Sequence, residues 1–234
     1  MKIIINKTCA LLLITLSALL ASCTTTTVDE YRENNTLLSL QDTEQVVVLG
    51  RRHYAEYETE PGFIDCIGKK LHTNKRISVI PEAEFVDILY PWFEPRTAPL
   101  NLERLGKMLN EPMIAKRIKD QGLHYIIWID GSTETTDQGG SISCAIGLGG
   151  GGCYGFTTWE KTGSYEAIIW NLNQLNENGR VSVEAKGSSY VIAVGIPIPI
   201  IAKVQSQACK GIGQQLSTFF AKHNTGRTTK EKNI

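Results

Sequence analysis

The sequence predicts an α/β fold of the α+β kind, a single mixed sheet packed by helices, with β-hairpins in the C-terminal half and a terminal helix. Three observations predict it. Short β-branched or apolar runs, Val46-Val47-Val48-Leu49, Ile77-Ser78-Val79-Ile80 and His124-Tyr125-Ile126-Ile127-Trp128-Ile129, alternate with stripes of helical period. Beyond residue 130 the period changes to alternation, as in half-buried hairpin strands. From Ile201 to Phe219 the helical stripe returns.

The chain opens with Lys2 and Lys7, an apolar block over residues 10–20, and the exit Leu20-Ala21-Ser22-Cys23. The block is shorter than the roughly 20 residues a spanning helix needs. Positive start, short apolar middle and small-residue exit are the marks of a secretory leader. Leu20-Ala21-Ser22-Cys23 resembles the lipobox of bacterial lipoproteins. That resemblance implies removal of residues 1–22 and transfer of a diacylglyceryl group to the Cys23 sulfur, and stable anchoring takes two chains or more. In such families of Gram-negative origin an aspartate after the cysteine holds the protein in the inner membrane. Thr24 stands there instead, which favours the outer membrane with the domain facing the periplasm. Residues 23–44 read as lipid anchor and polar leash, because Thr24–Asn35 has no period and too little apolar surface to offset chain entropy.

Residues 45–221 read as one α/β domain. The Val46–Leu49 run, ended by Gly50, is a buried strand, followed by a charged loop over residues 51–60. Pro61 opens a helix whose inner stripe is Phe63, Ile64, Ile67 and Leu71, with Cys66 at its margin. Pro81 opens another, with Glu82 and Glu84 in the first turn, where the helix dipole favours acids. Residues 90–99 hold three prolines and three aromatics, so no regular element forms there. Trp92, Phe93 and Arg96 in this stretch are candidate partner contacts, since aromatics and arginine are enriched where proteins meet. Residues 100–121 are helical with a break at Glu111-Pro112, and Gly122 stops them.

Residues 124–129 form the greasiest strand of the mature chain, suited to a central position. Gly131-Ser132-Thr133 then reads as a turn. Residues 141–146 and 154–159 flank a glycine run as one hairpin, and residues 164–172 and 180–185 form another, with Asn178-Gly179 as its turn dipeptide. Residues 191–201 are apolar but carry two prolines and a glycine. They are too short and broken for a spanning helix, and cover core, neighbour or lipid. Residues 222–234 form a polar tail.

Charged residues make up 21% of the chain and hydrophobic ones 42%, as in an ordinary globular body. With Lys2 and Lys7 gone, 22 basic residues face 24 acidic ones, and no nucleic-acid pattern appears. Once Cys9 leaves and Cys23 is lipidated, Cys66, Cys144, Cys153 and Cys209 remain. An oxidising compartment and an even count favour disulfides. Of three connectivities, Cys144 with Cys153 would close the glycine loop and Cys66 with Cys209 would tie an early helix to the last. The alternative is four reduced core thiols. Zinc is disfavoured, because no ligand spacing is present.

The glycine run over residues 147–152 is no phosphate loop, since no Lys-Ser or Lys-Thr follows and strand-like sequence comes next. No HExxH or GxSxG occurs, and no cofactor or metal is implied. Asp130, Glu134 and His53 are the residues an enzyme would recruit at strand ends. Residues 46–50, residues 122–128 and the paired strands before a terminal helix resemble the small α/β domain of envelope lipoproteins: the curli secretion lipoprotein, the penicillin-binding-protein activators and the N-terminal domain of the translocation protein TolB. The resemblance implies a membrane-anchored, non-enzymatic component that binds or scaffolds a protein partner or self-associates. The alternatives are a periplasmic enzyme, and an oligomeric secretion channel with the 141–160 hairpin in the membrane. The channel ranks last, because that hairpin has no sustained outward apolar row.

Overall fold

A computed structural model describes residues 24–32, 38, 40, 44–53, 56–73, 77–94, 97–147 and 150–220. The α/β reading holds. A six-stranded sheet has the order β1-β8-β7-β6-β2-β5, from β1 (Thr24–Arg32), β2 (Gln45–Gly50), β5 (Ser78–Ile80), β6 (Leu123–Gly147), β7 (Gly150–Asn171) and β8 (Asn176–Ile200). β3 (Arg52–His53) and β4 (Glu56–Tyr57) pair as a small antiparallel ribbon. The helices are α1 (Pro61–Thr73), α2 (Glu82–Ile88), α3 (Leu102–Leu109), α4 (Pro112–Asp120) and α5 (Val204–Phe219).

β2 runs parallel to β5 and to β6, with Val46 opposite Val79 and Tyr125. The other neighbours are antiparallel. Leu172 N donates to His124 O, while Gly131 abuts Ser164, so position falls along β7 as it rises along β6. The sheet is therefore mixed.

The described chain divides into two compact units, where the sequence reading gathers 45–221 into one domain. The larger comprises residues 27–132, 164–184 and 208–220. Val47, Leu49, Ile126 and Trp128 on one sheet face meet Phe85, Leu105, Ile114 and Ile118 from α2, α3 and α4. On the other face α1 lays Phe63 flat on Tyr165 at 3.7 Å, and Tyr125 meets Phe220 edge-on at 5.4 Å. The Cys66–Cys209 disulfide joins α1 to α5. The smaller unit comprises residues 24–26, 133–163 and 185–207, chiefly the outer segments of β6, β7 and β8. Cys144–Cys153 closes its first hairpin. Both bridges are the favoured pairing.

Three expectations need correction. Residues 24–32 of the expected leash form β1, and Leu38 and Leu40 are buried. Ladder pairing holds a strand whose side chains stay wet, and composition alone does not register that. Gly131-Ser132-Thr133 is no turn. Gly131 sits inside β6 at φ +119°, and a Cβ there would collide with Ser164 O. Asn178-Gly179 is no turn either. Gly179 is buried in β8, where a Cβ would lie 2.5 Å from Phe219 and 2.9 Å from Tyr31 O. The turn falls at residues 172–175. Asn171 Oδ1 accepts from Asn173 N at 2.8 Å and Gln174 N at 3.1 Å, and Leu175 takes φ +54°. The expected lipid-bearing Cys23 and the polar tail 222–234 lie outside the described residues.

Candidate functional site

The candidate site is the two-hairpin end of the smaller unit. Its first hairpin follows from the glycines. Gly140 (φ +86°) and Gly155 (φ +142°) let the backbones of β6 and β7 close up where a side chain would strike Phe156 O or Ser141 O. Cys144 and Cys153 face each other with Cα atoms 4.0 Å apart. That separation belongs to a pair whose own N–H and C=O groups point away from each other.

The second hairpin lies hidden within β8. A straight strand would carry Ala202 about 43 Å from Ser189, at 3.3 Å per residue. Instead Ala202 N donates to Ser189 Oγ at 3.0 Å, and a Cβ on Gly187 would lie 2.7 Å from Ala202 Cβ. The chain therefore reverses midway, at Gly195 with φ +86°. The outgoing arm stays in register with β7. Thr158 Oγ1 donates to Ser189 O at 3.2 Å, the Phe156 and Tyr190 rings lie 6.3 Å apart, and a Cβ on Gly152 would lie 3.8 Å from Gly195. The unit thus presents four arms, alternately up and down.

Two properties of this end stand out chemically. Its apolar side chains face outward: Ile146 is 93% exposed, Val194 77%, Ile196 76% and Ile198 61%. Among the described residues, β2 pairs with β6 only as far as Ile129, so β6 from Glu134 onward has β7 on one side and no strand on the other. A backbone edge of this kind is a template for a further strand.

The other nominated residues sit elsewhere. Phe93 is core, edge-on to Phe85 at 5.2 Å, so its ring is not offered to a partner. Trp92 is half-buried beneath the Arg117 guanidinium, 5.1 Å from the ring centre, and Arg117 also donates to Ile88 O and Tyr90 O. Arg96 and the His53 side chain lie outside the described residues. Asp130 accepts from Arg51 at 2.8 Å, and Glu58 holds the same guanidinium at 2.6 Å. The hydrogen bond and charge of Asp130 raise the Arg51 pKa. Glu134 is exposed on β6. Among the described residues no group of His, Cys, Asp and Glu could hold a metal ion, and no helix is long and apolar enough to cross a membrane.

Sequence reading found the first hairpin through its glycines and cysteines, and missed the second. Its signal was Gly195 centred between two apolar arms of similar length, a pattern masked by Pro197 and Pro199.

No protein-family profile matches the chain, and no curated protein matches it. Among solved structures, the PelC dodecamer from Paraburkholderia phytofirmans in space group P6 is 14% identical over 85% of this chain and 100% of that chain, with a TM-score of 0.40. A point variant of that PelC dodecamer in space group C2 is 12% identical over the same shares, with a TM-score of 0.39. At these scores neither structure assigns this chain a role.

Proposed function

We propose that this chain is a non-enzymatic envelope lipoprotein, anchored through Cys23 to the outer membrane with its body in the periplasm, and that it works by assembling with further copies of itself into a scaffold. One observation carries the reading: the open outer edge of β6 beyond Ile129. Proteins that remain single blunt such edges with charge, proline or a covering loop. From Gln138 to Gly147 this edge has neither charge nor proline. With four arms alternating in direction, the first arm of one copy meets the last arm of the next antiparallel. The contact is head-to-tail, so it repeats from copy to copy and closes into a ring where the rotation between copies divides a full turn.

Two measurements test the reading. Labelled palmitate should enter the wild-type protein and be lost in C23S; retained label would remove the anchor. Light scattering of protein extracted from native membranes in mild detergent should give one uniform particle several times the mass of the mature chain that begins at Cys23. A particle of single-chain mass would remove the assembly.

A further inference from the structure

β5 closes the sheet on one side, and among the described residues no strand lies beyond it. Alternate residues of a strand turn their N–H and C=O groups to alternate sides, so part of the β5 backbone faces away from β2. The edge is only three residues long, and short edges resist indiscriminate pairing. A strand added there must therefore gain something besides backbone hydrogen bonds.

The larger unit offers it in a groove of about 410 Å³ between α1 and β5. Val48, Ile64 and Val79 make its apolar lining. Val46 stands opposite Val79, so Val79 faces the same side of the sheet as Val46 and Val48. Those two are buried, whereas Val79 is only half-buried. The residue of α1 that faces it is Gly68. A Cβ on Gly68 would lie 3.9 Å from Val79 Cγ1, an ordinary contact, with nothing else nearby. Neither crowding nor a positive φ demands glycine here. In a helix interior glycine is the poorest residue after proline, so Gly68 works against the stability of α1. What the missing side chain provides is the open groove.

Charge sets the kind of strand that fits. Lys69 and His72 line the groove and are exposed, and Lys70 is exposed next to Lys69. Asp65 and Glu82 line it too, but no acid occurs between them in the chain. The last two turns of α1 thus present cations alone, and an acidic segment complements them.

We infer that β5 and this groove take an extended acidic peptide of a partner protein. The peptide joins the sheet along β5 and sets one apolar side chain into the groove at Gly68 and Val79. Backbone bonds to an edge supply affinity in this mode of recognition, and a cavity for alternate side chains supplies selection. The inference goes beyond the assembly along β6 and does not depend on it.

The test uses the full lipidated protein in mild detergent and a fluorescein-labelled heptapeptide, Glu-Asp-Val-Leu-Val-Asp-Glu, read by fluorescence polarisation. Wild type should bind it saturably, and the same peptide with lysine for each acid should bind at least tenfold more weakly. G68L fills the groove and K69E/H72E reverses its rim; each should weaken binding about tenfold or more. G68A should raise the melting temperature by about 1–4 °C, which certifies that α1 tolerates a side chain there. K69E/H72E leaves position 68 untouched, so it decides the matter where G68L fails to fold. Absence of saturable binding to wild type, or binding by G68L and K69E/H72E equal to wild type, overturns the inference. A G68L particle of lower light-scattering mass than wild type would show that a neighbouring copy fills the groove, and would overturn it as well.

Discussion

Gly131 shows how much one missing Cβ decides. At φ +119° it lets β6 and β7 close where a methyl group would run into Ser164 O. G131A meets both a strained backbone and a collision, so it should destabilise the protein by about 2–3 kcal/mol, read as a lower urea midpoint at unchanged slope. Tyr125 is a second such residue. Burial first, and the charge of Glu44 next, raise its pKa above the ordinary 10.0. The unfolded chain therefore releases the phenolic proton first as pH rises. The stability associated with the neutral phenol is complete below pH 10 and is lost between the unfolded value and the higher folded one. Y125F should flatten the fall in melting temperature above pH 10; an unchanged alkaline fall would place its origin elsewhere. Residue chemistry of this kind was only half legible in the sequence. Apolar identity placed Tyr125 in a central strand, but the strain at Gly131 depends on Ser164, a neighbour that only the folded register supplies.

At the scale of elements, periodicity read the helices well because a helix is held locally. Phe63, Ile64, Ile67 and Leu71 are the buried face of α1, and Pro112 opens α4 after a break at Glu111. Strands were read less well, since their partners are distant. β1 is polar and reads as leash, and the reversal within β8 is hidden by prolines that usually deny a strand. Cysteine count and compartment reached both bridges. The two bridges should differ in weight. Cys66 and Cys209 stand 143 residues apart and Cys144 and Cys153 stand 9 apart. Loop entropy then assigns about 5 kcal/mol to the first and about 2.5 kcal/mol to the second. C66A/C209A should lower the melting temperature markedly more than C144A/C153A. Equal losses would mean that unfolded-chain entropy is not what the long bridge restrains.

For the whole molecule the decisive feature is the edge of β6, because it determines whether the chain stops at one copy. The 4.0 Å approach of Cys144 to Cys153 makes them a pair whose N–H groups turn away from one another, so the N–H of Cys144 points out from the hairpin. By the two-residue period of a strand, those of Ile142 and Ile146 point outward too, and that of Ala145 points toward β7. Proline removes one donor at the position it occupies. I142P/I146P therefore strips two outward donors and leaves the hairpin's own ladder intact, whereas A145P breaks the ladder and leaves those two outward donors in place. At about 1 kcal/mol for each lost hydrogen bond, the double variant weakens every junction between copies by roughly 30-fold. Its light-scattering mass in detergent should fall on dilution at concentrations where the wild-type particle holds together, with the melting temperature of the single chain little changed. A145P should instead lower the melting temperature. If I142P/I146P kept the wild-type mass through the whole dilution series, the copies would be joined elsewhere than along β6.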